Sequence, residues 1–162
     1  MLIASPPSGL NITANNLNLG NLSLDPELEI VLSFLIPMSE DYPDIRDWFH
    51  GKVSPGLLDG SRKLVKIERD NRLIGVGIAK NDNHEKKICT VRVLSDYANR
   101  GIGIRIFDEL LEWLNTDQPH LTISEHKLPV FEKIFRWYGF QQTSKSKGRY
   151  VDNVFEIAYN EL

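Results

Sequence analysis

The stretch SDYANRGIGIRIFDELLEWL, Ser95 to Leu114, decides how this chain is read. A polar turn leads into two glycines one residue apart, Gly101 and Gly103, and a helix-forming run follows at once. Glycine has no Cβ, so backbone there can approach a ligand closely or adopt positive φ. The first amides of the following helix lack intrahelical partners, and the helix dipole favours an anion at that end. Arg100 and Arg105 add positive charge, and no acid lies between Asp96 and the helix start. The stretch is therefore either a cradle for a phosphate or pyrophosphate, or a glycine hinge between strand and helix. Two familiar phosphate signatures are missing. Ile106 stands where G-x-G-x-x-G needs its third glycine, and no Gly-Lys-Ser/Thr follows.

Upstream, three runs alternate or carry β-branched residues: RKLVKIERD, NRLIGVGIAK and ICTVRVLS, separated by Asp70-Asn71 and the polar NDNHEKK. They predict an antiparallel meander, with Val65 and Ile67 on the face opposite Leu64 and Lys66. Before them, Asp25-Pro26 reads as a helix cap with proline in the first turn, and PELEIVLSFL places Leu28, Val31, Leu32 and Leu35 at helical spacing. Pro37 ends or kinks that helix, PDIRDWFHGKV forms a second helical piece, and SPGLLDGS is expected to be a loop. Downstream, a helix over roughly Gly103 to Asn115 buries Ile104, Phe107, Leu111 and Leu114. A short strand HLTIS, a helix LPVFEKIFRWYG stopping at Gly139, and two strands, FQQTSKS and NVFEIAYN, complete the order. This is an α+β domain with a mixed, mostly antiparallel sheet flanked by helices, in which the strand–helix–strand unit around the glycines implies one parallel pair. Residues 1–24, with SPPSG and an Asn/Leu-rich run, form an N-terminal arm or irregular segment. Residues 25–162 form the domain.

At 162 residues one domain is expected. No apolar run approaches the roughly 20 residues of a membrane-spanning helix, and no Lys or Arg precedes the first apolar residues as a secretory leader would require. The single cysteine, Cys89, excludes an intrachain disulfide, so a cytoplasmic location is expected. A net charge of −3 speaks against general nucleic-acid binding. The first 45 residues hold six acids and no Lys or Arg, a net −6, which leaves +3 for the remainder. An anionic ligand is therefore expected on the later portion. One cysteine and four scattered histidines give no metal-ligand pattern.

With its flanking strand and helix, VRVLSDYANRGIGIRIFDELLEWL resembles the acyl-CoA-binding segment of the GNAT superfamily of N-acyltransferases. The family's Gln/Arg-x-x-Gly-x-Gly/Ala falls on Ala98 to Gly103, matching at Gly101 and Gly103 and departing at Ala98. The element order from Asp25 onward and the Tyr138–Phe140 sequence YGF are similar too. The resemblance implies acetyl-CoA as co-substrate, with no metal. Its pyrophosphate would be held by the amides of Asn99, Arg100, Gly101, Ile102, Gly103 and Ile104, and its pantetheine arm by the backbone edge of Val91, Arg92 and Val93. The strand from Leu121 would splay away and open a wedge for thioester and acceptor amine.

Acyl transfer to an amine needs deprotonation of the amine, a donor for the developing oxyanion, a proton for the leaving thiolate, and positioning. The family's usual acid is a tyrosine four residues before the glycine of Gly-Phe; here that position is Phe135. Tyr138 is an unconventional candidate acid, or a packing tyrosine. Glu125, after LTIS, is a candidate base or an exposed cap; its neighbour His126 is suited to proton transfer or is a loop histidine. Cys89 reads as buried, and His84 and Glu85 lie in a charged turn that is solvated or lines an acceptor entrance. Lys133 and Arg136 either reach the nucleotide's 3′-phosphate or are surface charge. The expected activity is direct acetyl transfer to a small-molecule or peptide amine. A catalytically weak CoA-binding sensing module is the alternative, motivated by Ala98 and Phe135. A third reading, aminoacyl-tRNA as acceptor, rests on a basic patch from Lys127 to Arg149. The N-terminal segment is also a candidate homodimer arm.

Overall fold

The structure, a computed structural model, describes residues 2–4 and 24–161, the first three through their backbone. The remainder of the N-terminal segment lies outside the described residues. Strand β1 (Leu2–Ala4) is followed by α1 (Pro26–Leu35), α2 (Ile45–Trp48) and α3 (Ser54–Asp59), then by the meander β2 (Arg62–Arg69), β3 (Arg72–Asn81) and β4 (Lys86–Val93). Helix α4 (Ile102–Leu114), β5 (Leu121–Ser124), α5 (Leu128–Tyr138), β6 (Gln142–Lys147) and β7 (Phe155–Tyr159) follow. The α+β class matches the sequence reading, as does the order of elements from α1 onward apart from the added helix α3; the strand β1 is a further addition.

Local chemistry sets most boundaries. Asp25 Oδ1 accepts from Glu27 N at 2.9 Å, capping α1. The β2–β3 turn takes positive φ at Asp70 and Asn71, 52° and 60°, which two short polar side chains tolerate. Asp82 Oδ1 accepts from the amides of His84 and Glu85 at 2.8 and 2.9 Å, closing the β3–β4 connection. Gly139, at φ 71°, ends α5 in the left-handed conformation.

One segment departs from expectation. SPGLLDGS is not a loop, because Ser54–Asp59 is helical and continues from α2 through a π-turn at Phe49–Val53. Pro55 explains both features: it sits in the first turn of α3, where no N–H is needed, and its ring crowds the carbonyl four residues back, widening the preceding turn. Gly60, at φ 85°, supplies the stop.

The strands form two sheets, ordered β1-β4-β3-β2 and β5-β7-β6, in which all strand pairs are antiparallel. The expected parallel pair is reduced to one bridge, Lys87 to His120, at the start of β4 and β5. Beyond it the two strands part.

Two cores sandwich the first sheet. On one side Val31, Leu35, Trp48 and Phe49 pack against Val76 and Ile78; on the other, α4 and α5 pack against Val91, Val93 and Ile123. The buried face of α4 is Ile102, Ile106, Phe107, Leu110 and Leu114, with Ile104 and Leu111 only partly buried. The cause lies in β3: a Cβ on Gly77 would come within 2.3 Å of Ile106 Cγ2, and one on Gly75 within 3.0 Å of Ile106 Cδ1. These glycines let α4 settle onto the sheet along the Ile102–Ile106–Leu110 row.

Candidate active site

The glycine loop stands at the end of β4, where the sheets diverge. Asn99 and Gly101 both take positive φ, 61° and 80°, turning the chain so that α4 starts at Ile102. Arg105 N bonds Gly101 O at 3.1 Å, the first closed turn, so the amides before it face outward without intrahelical partners. Beside them is a cavity of about 260 Å³, walled by Val93, the loop, Gly103 and Ile104, and by Val130, Phe131, Lys133 and Ile134 of α5. A Cβ on Gly101 would meet nothing within 4 Å, and one on Gly103 would lie 3.3 Å from Ile134 Cδ1. The backbone is thus bare where an anion would approach, and Lys133 supplies a cation. Arg100 lies over the Tyr97 ring at 5.5 Å. Arg136 pairs with Glu132 at 2.9 Å on the exposed face of α5. The cavity suits a phosphate-bearing ligand through amides, dipole and one lysine.

The edge of β4 is another matter. Arg92 Nη1 donates to Phe34 O at 2.6 Å and its guanidinium covers the Phe34 ring at 4.5 Å, so its side chain secures α1. The backbone at Thr90 to Arg92 pairs with β1.

Each of the three candidate acid–base residues is engaged by a different partner. Lys145 Nζ donates to Glu125 Oε1 at 2.7 Å, an exposed pair. His126 Nε2 meets Asp41 Oδ1 at 2.8 Å, with the Asp41 side chain 14% exposed. The Tyr138 hydroxyl lies 2.6 Å from Asp108 Oδ1 and 3.1 Å from Ile104 O, strapping α5 to the first turns of α4. Burial and the Asp108 carboxylate push that phenol above its ordinary range. Phe135, in the family's acid position, is buried among Phe107, Phe131, Phe140 and Tyr159.

A group the sequence reading missed lies at the other side of the split. Glu156 of β7 is buried and accepts from the Tyr42 hydroxyl at 2.9 Å. It sits directly across from Ser124, the last residue of β5. Burial is the main cause that pushes its carboxyl up to about 7, and Asp41 adds to this, while Tyr42, Thr122 and Arg149 act in the opposite direction. Burial, with Glu156 beside it, also drives the Tyr42 phenol far up, so Tyr42 stays a donor. Thr90, Thr122 and Ser124 are buried as well, and among the described residues the Thr90 and Ser124 hydroxyls have no hydrogen-bond partner. As the central strand of its sheet, β7 buries Glu156, Ile157, Ala158 and Tyr159 in succession. FEIAY alone gives no sign that its Glu is buried.

Other singled-out residues fall elsewhere. Cys89 is buried, Arg62 Nη1 is 3.4 Å from its sulfur, and burial pushes the thiol up, as for an inert cysteine. The turn holding His84 and Glu85 lines a cavity of about 600 Å³ with Thr116, Gln118 and His120, at the joined end of β4 and β5 rather than the open one. There Glu85 binds His120 at 3.0 Å and Lys80 at 2.7 Å, and the His120 hydrogen bond above all, with Lys80, holds its carboxyl well below the usual range. Among the described residues, no group of three or more His, Cys, Asp or Glu could hold a metal, and no helix is long and apolar enough to cross a membrane.

A family model, the acetyltransferase (GNAT) domain, matches residues 49–154. The chain belongs to the GNAT acetyltransferases. Solved structures share its fold at low identity. A ribosomal-protein-alanine N-acetyltransferase from Brucella melitensis superposes with a TM-score of 0.65 at 16% identity, over 86% of this chain and 96% of that one. An aminoglycoside 6′-N-acetyltransferase complexed with coenzyme A gives 0.60 at 13%, over 83% and 90%. The PaiA N-acetyltransferase from Thermoplasma acidophilum, in complex with coenzyme A, gives 0.58 at 12%, over 83% and 93%. At such identities the likeness is one of fold. No curated protein matches in sequence. As a GNAT member the chain has an acyl-transfer scaffold; its donor, acceptor and acid–base residues are matters of its own site.

Proposed function

We propose that this GNAT protein moves an acetyl group from acetyl-CoA directly to a primary amine, on a small molecule or a peptide. The observation that carries the reading is the cavity between the bare amides of Gly101–Ile104 and Lys133. It fits a pyrophosphate, and bound there the co-substrate supplies an activated thioester. The loop amides and Lys133 hold the phosphates, and the split between β4 and β5 receives the thioester end.

Glu156 is our choice for proton acceptor. An amine arriving as an ammonium must lose a proton before its nitrogen can attack the carbonyl carbon. A buried carboxyl raised to about 7 can exchange a proton near neutral pH, so its anion can bind the cation and accept the proton. Tyr42 holds it in place. As the C–N bond forms, the C–S bond breaks, and the sulfur takes up a proton from solvent or from the protonated Glu156. Glu125 and Tyr138, already engaged by Lys145 and by α4, serve as rim charge and helix strap.

The test is free-thiol release from acetyl-CoA across a panel of amines and peptides, for the unmodified chain and Glu156→Gln. Release with at least one amine, cut by 10²-fold or more in the variant, is expected. Thiol release from no amine despite CoA binding would favour the sensing module, the reading that Phe135 in the acid position supports.

A further inference from the structure

A β-strand has two hydrogen-bonding edges. Along Thr90–Arg92, β3 takes one edge of β4, pairing Ile78, Gly77 and Val76 with Thr90, Val91 and Arg92. β1 takes the other, pairing Ala4, Ile3 and Leu2 with the same three residues. At the foot of that second edge, Ile88 N donates to His120 O and His120 N to Lys86 O, both at 2.9 Å, tying β4 to β5. Above this tie the strands part, and β1 lies in the gap, in contact with β5 as well.

The direction of β1 matters. It runs antiparallel to β4, so Leu2 lies at the Arg92 end, toward the glycine loop, and Ala4 lies deeper in the split. An extended arm leaving a pyrophosphate at the start of α4 and reaching into the split would follow the same line. One row of backbone donors and acceptors cannot pair with two extended partners at once.

We propose that Leu2–Ala4 is a tethered competitor of the acyl carrier, a built-in strand that must leave β4 before the pantetheine arm can pair there. The inference rests on the acetyl-CoA reading above. The loop cavity is lined by other residues and stays open while β1 is docked. The device therefore discriminates between parts of one ligand. The nucleotide end can bind in either state, and the arm only in one. Being covalently attached, the competitor acts at a fixed effective concentration. If it is docked about nine-tenths of the time, it weakens apparent acetyl-CoA affinity about tenfold.

Calorimetry on three proteins tests this: the full chain, the full chain with Leu2→Pro and Ile3→Pro together, and a chain lacking residues 1–8. Neighbouring amides point to opposite edges, so one of the two prolines removes a donor facing β4. The probes are acetyl-CoA and adenosine 3′,5′-bisphosphate, which has phosphates but no pantetheine. Both altered proteins should bind acetyl-CoA about tenfold more tightly than the full chain and the bisphosphate equally well. Equal acetyl-CoA affinity in all three would overturn the competitor. A parallel gain for the bisphosphate would overturn it too, since that places the effect at the loop. Acetyl-CoA binding to none of the three would sink the acyl-carrier reading itself, and the competitor with it.

Discussion

Replacing Glu156 with Gln should change how stability depends on pH, and the size follows from where the carboxyl sits. Glu156 is 4% exposed, and burial raises its pKa from an ordinary 4.5 to about 7. Between those values the folded protein holds a proton that the unfolded chain has released. The contribution of this proton to stability is complete below pH 4.5 and disappears as pH rises through 7. At about 1.4 kcal/mol per pH unit, the gap amounts to about 3 kcal/mol. Gln cannot titrate, yet its amide oxygen can still accept from Tyr42, so the packing and the hydrogen bond remain. Tyr42, Thr122, Arg149 and Asp41, the other groups acting on Glu156, are common to both proteins. Urea unfolding of the unmodified and Gln proteins at intervals from pH 4.5 to 8.5 gives the difference directly. The unmodified protein should lose about 3 kcal/mol relative to the variant across that range, most of it between pH 5 and 7.5. Curves that run parallel would refute the reasoning, because they would mean that Glu156 is ionised with its ordinary pKa in the folded state.

Tyr42→Phe removes a hydrogen bond that favours the Glu156 anion, so the same pH limb should move upward and stability should fall by about 1 kcal/mol; an unmoved or lowered limb would count against the pair. Gly77→Ala places a methyl 2.3 Å from Ile106 Cγ2 and should cost about 1–3 kcal/mol by forcing α4 off β3. A melting temperature unchanged in that variant would contradict the seating of α4.

How much of this was legible in the sequence depends on the range of the determining interaction. Asp25 capping α1, the Asp70-Asn71 turn and Gly139 ending α5 are local, and residue type alone predicts them. The buried face of α4 is set from across the sheet. Its spacing favoured Ile104 and Leu111, while the glycines of β3 admit Ile106 and Leu110 instead. The helix at Ser54–Asp59 was hidden by proline and glycine, turn formers that here serve as a first-turn residue and a stop. The glycine loop was readable because strand, positive-φ turn and helix start are contiguous. Glu156 was not, because Tyr42 lies 114 residues away and only β7's place between β5 and β6 buries it. The pairing of three apolar residues, Leu2–Ala4, with β4 had no sequence signal at all.

The proposed function rests on acetyl-CoA binding at the amides of Gly101–Ile104, where α4 begins. Gly103→Trp brings an indole to a position whose Cβ is 3.3 Å from Ile134 Cδ1, beside a cavity of about 260 Å³, leaving no room for phosphate at the loop. Titration calorimetry with acetyl-CoA should show one-to-one binding by the unmodified chain and none by the variant, whose fold is checked by circular dichroism. Equal affinity in the folded variant, or no binding by the unmodified chain at millimolar acetyl-CoA, would contradict it.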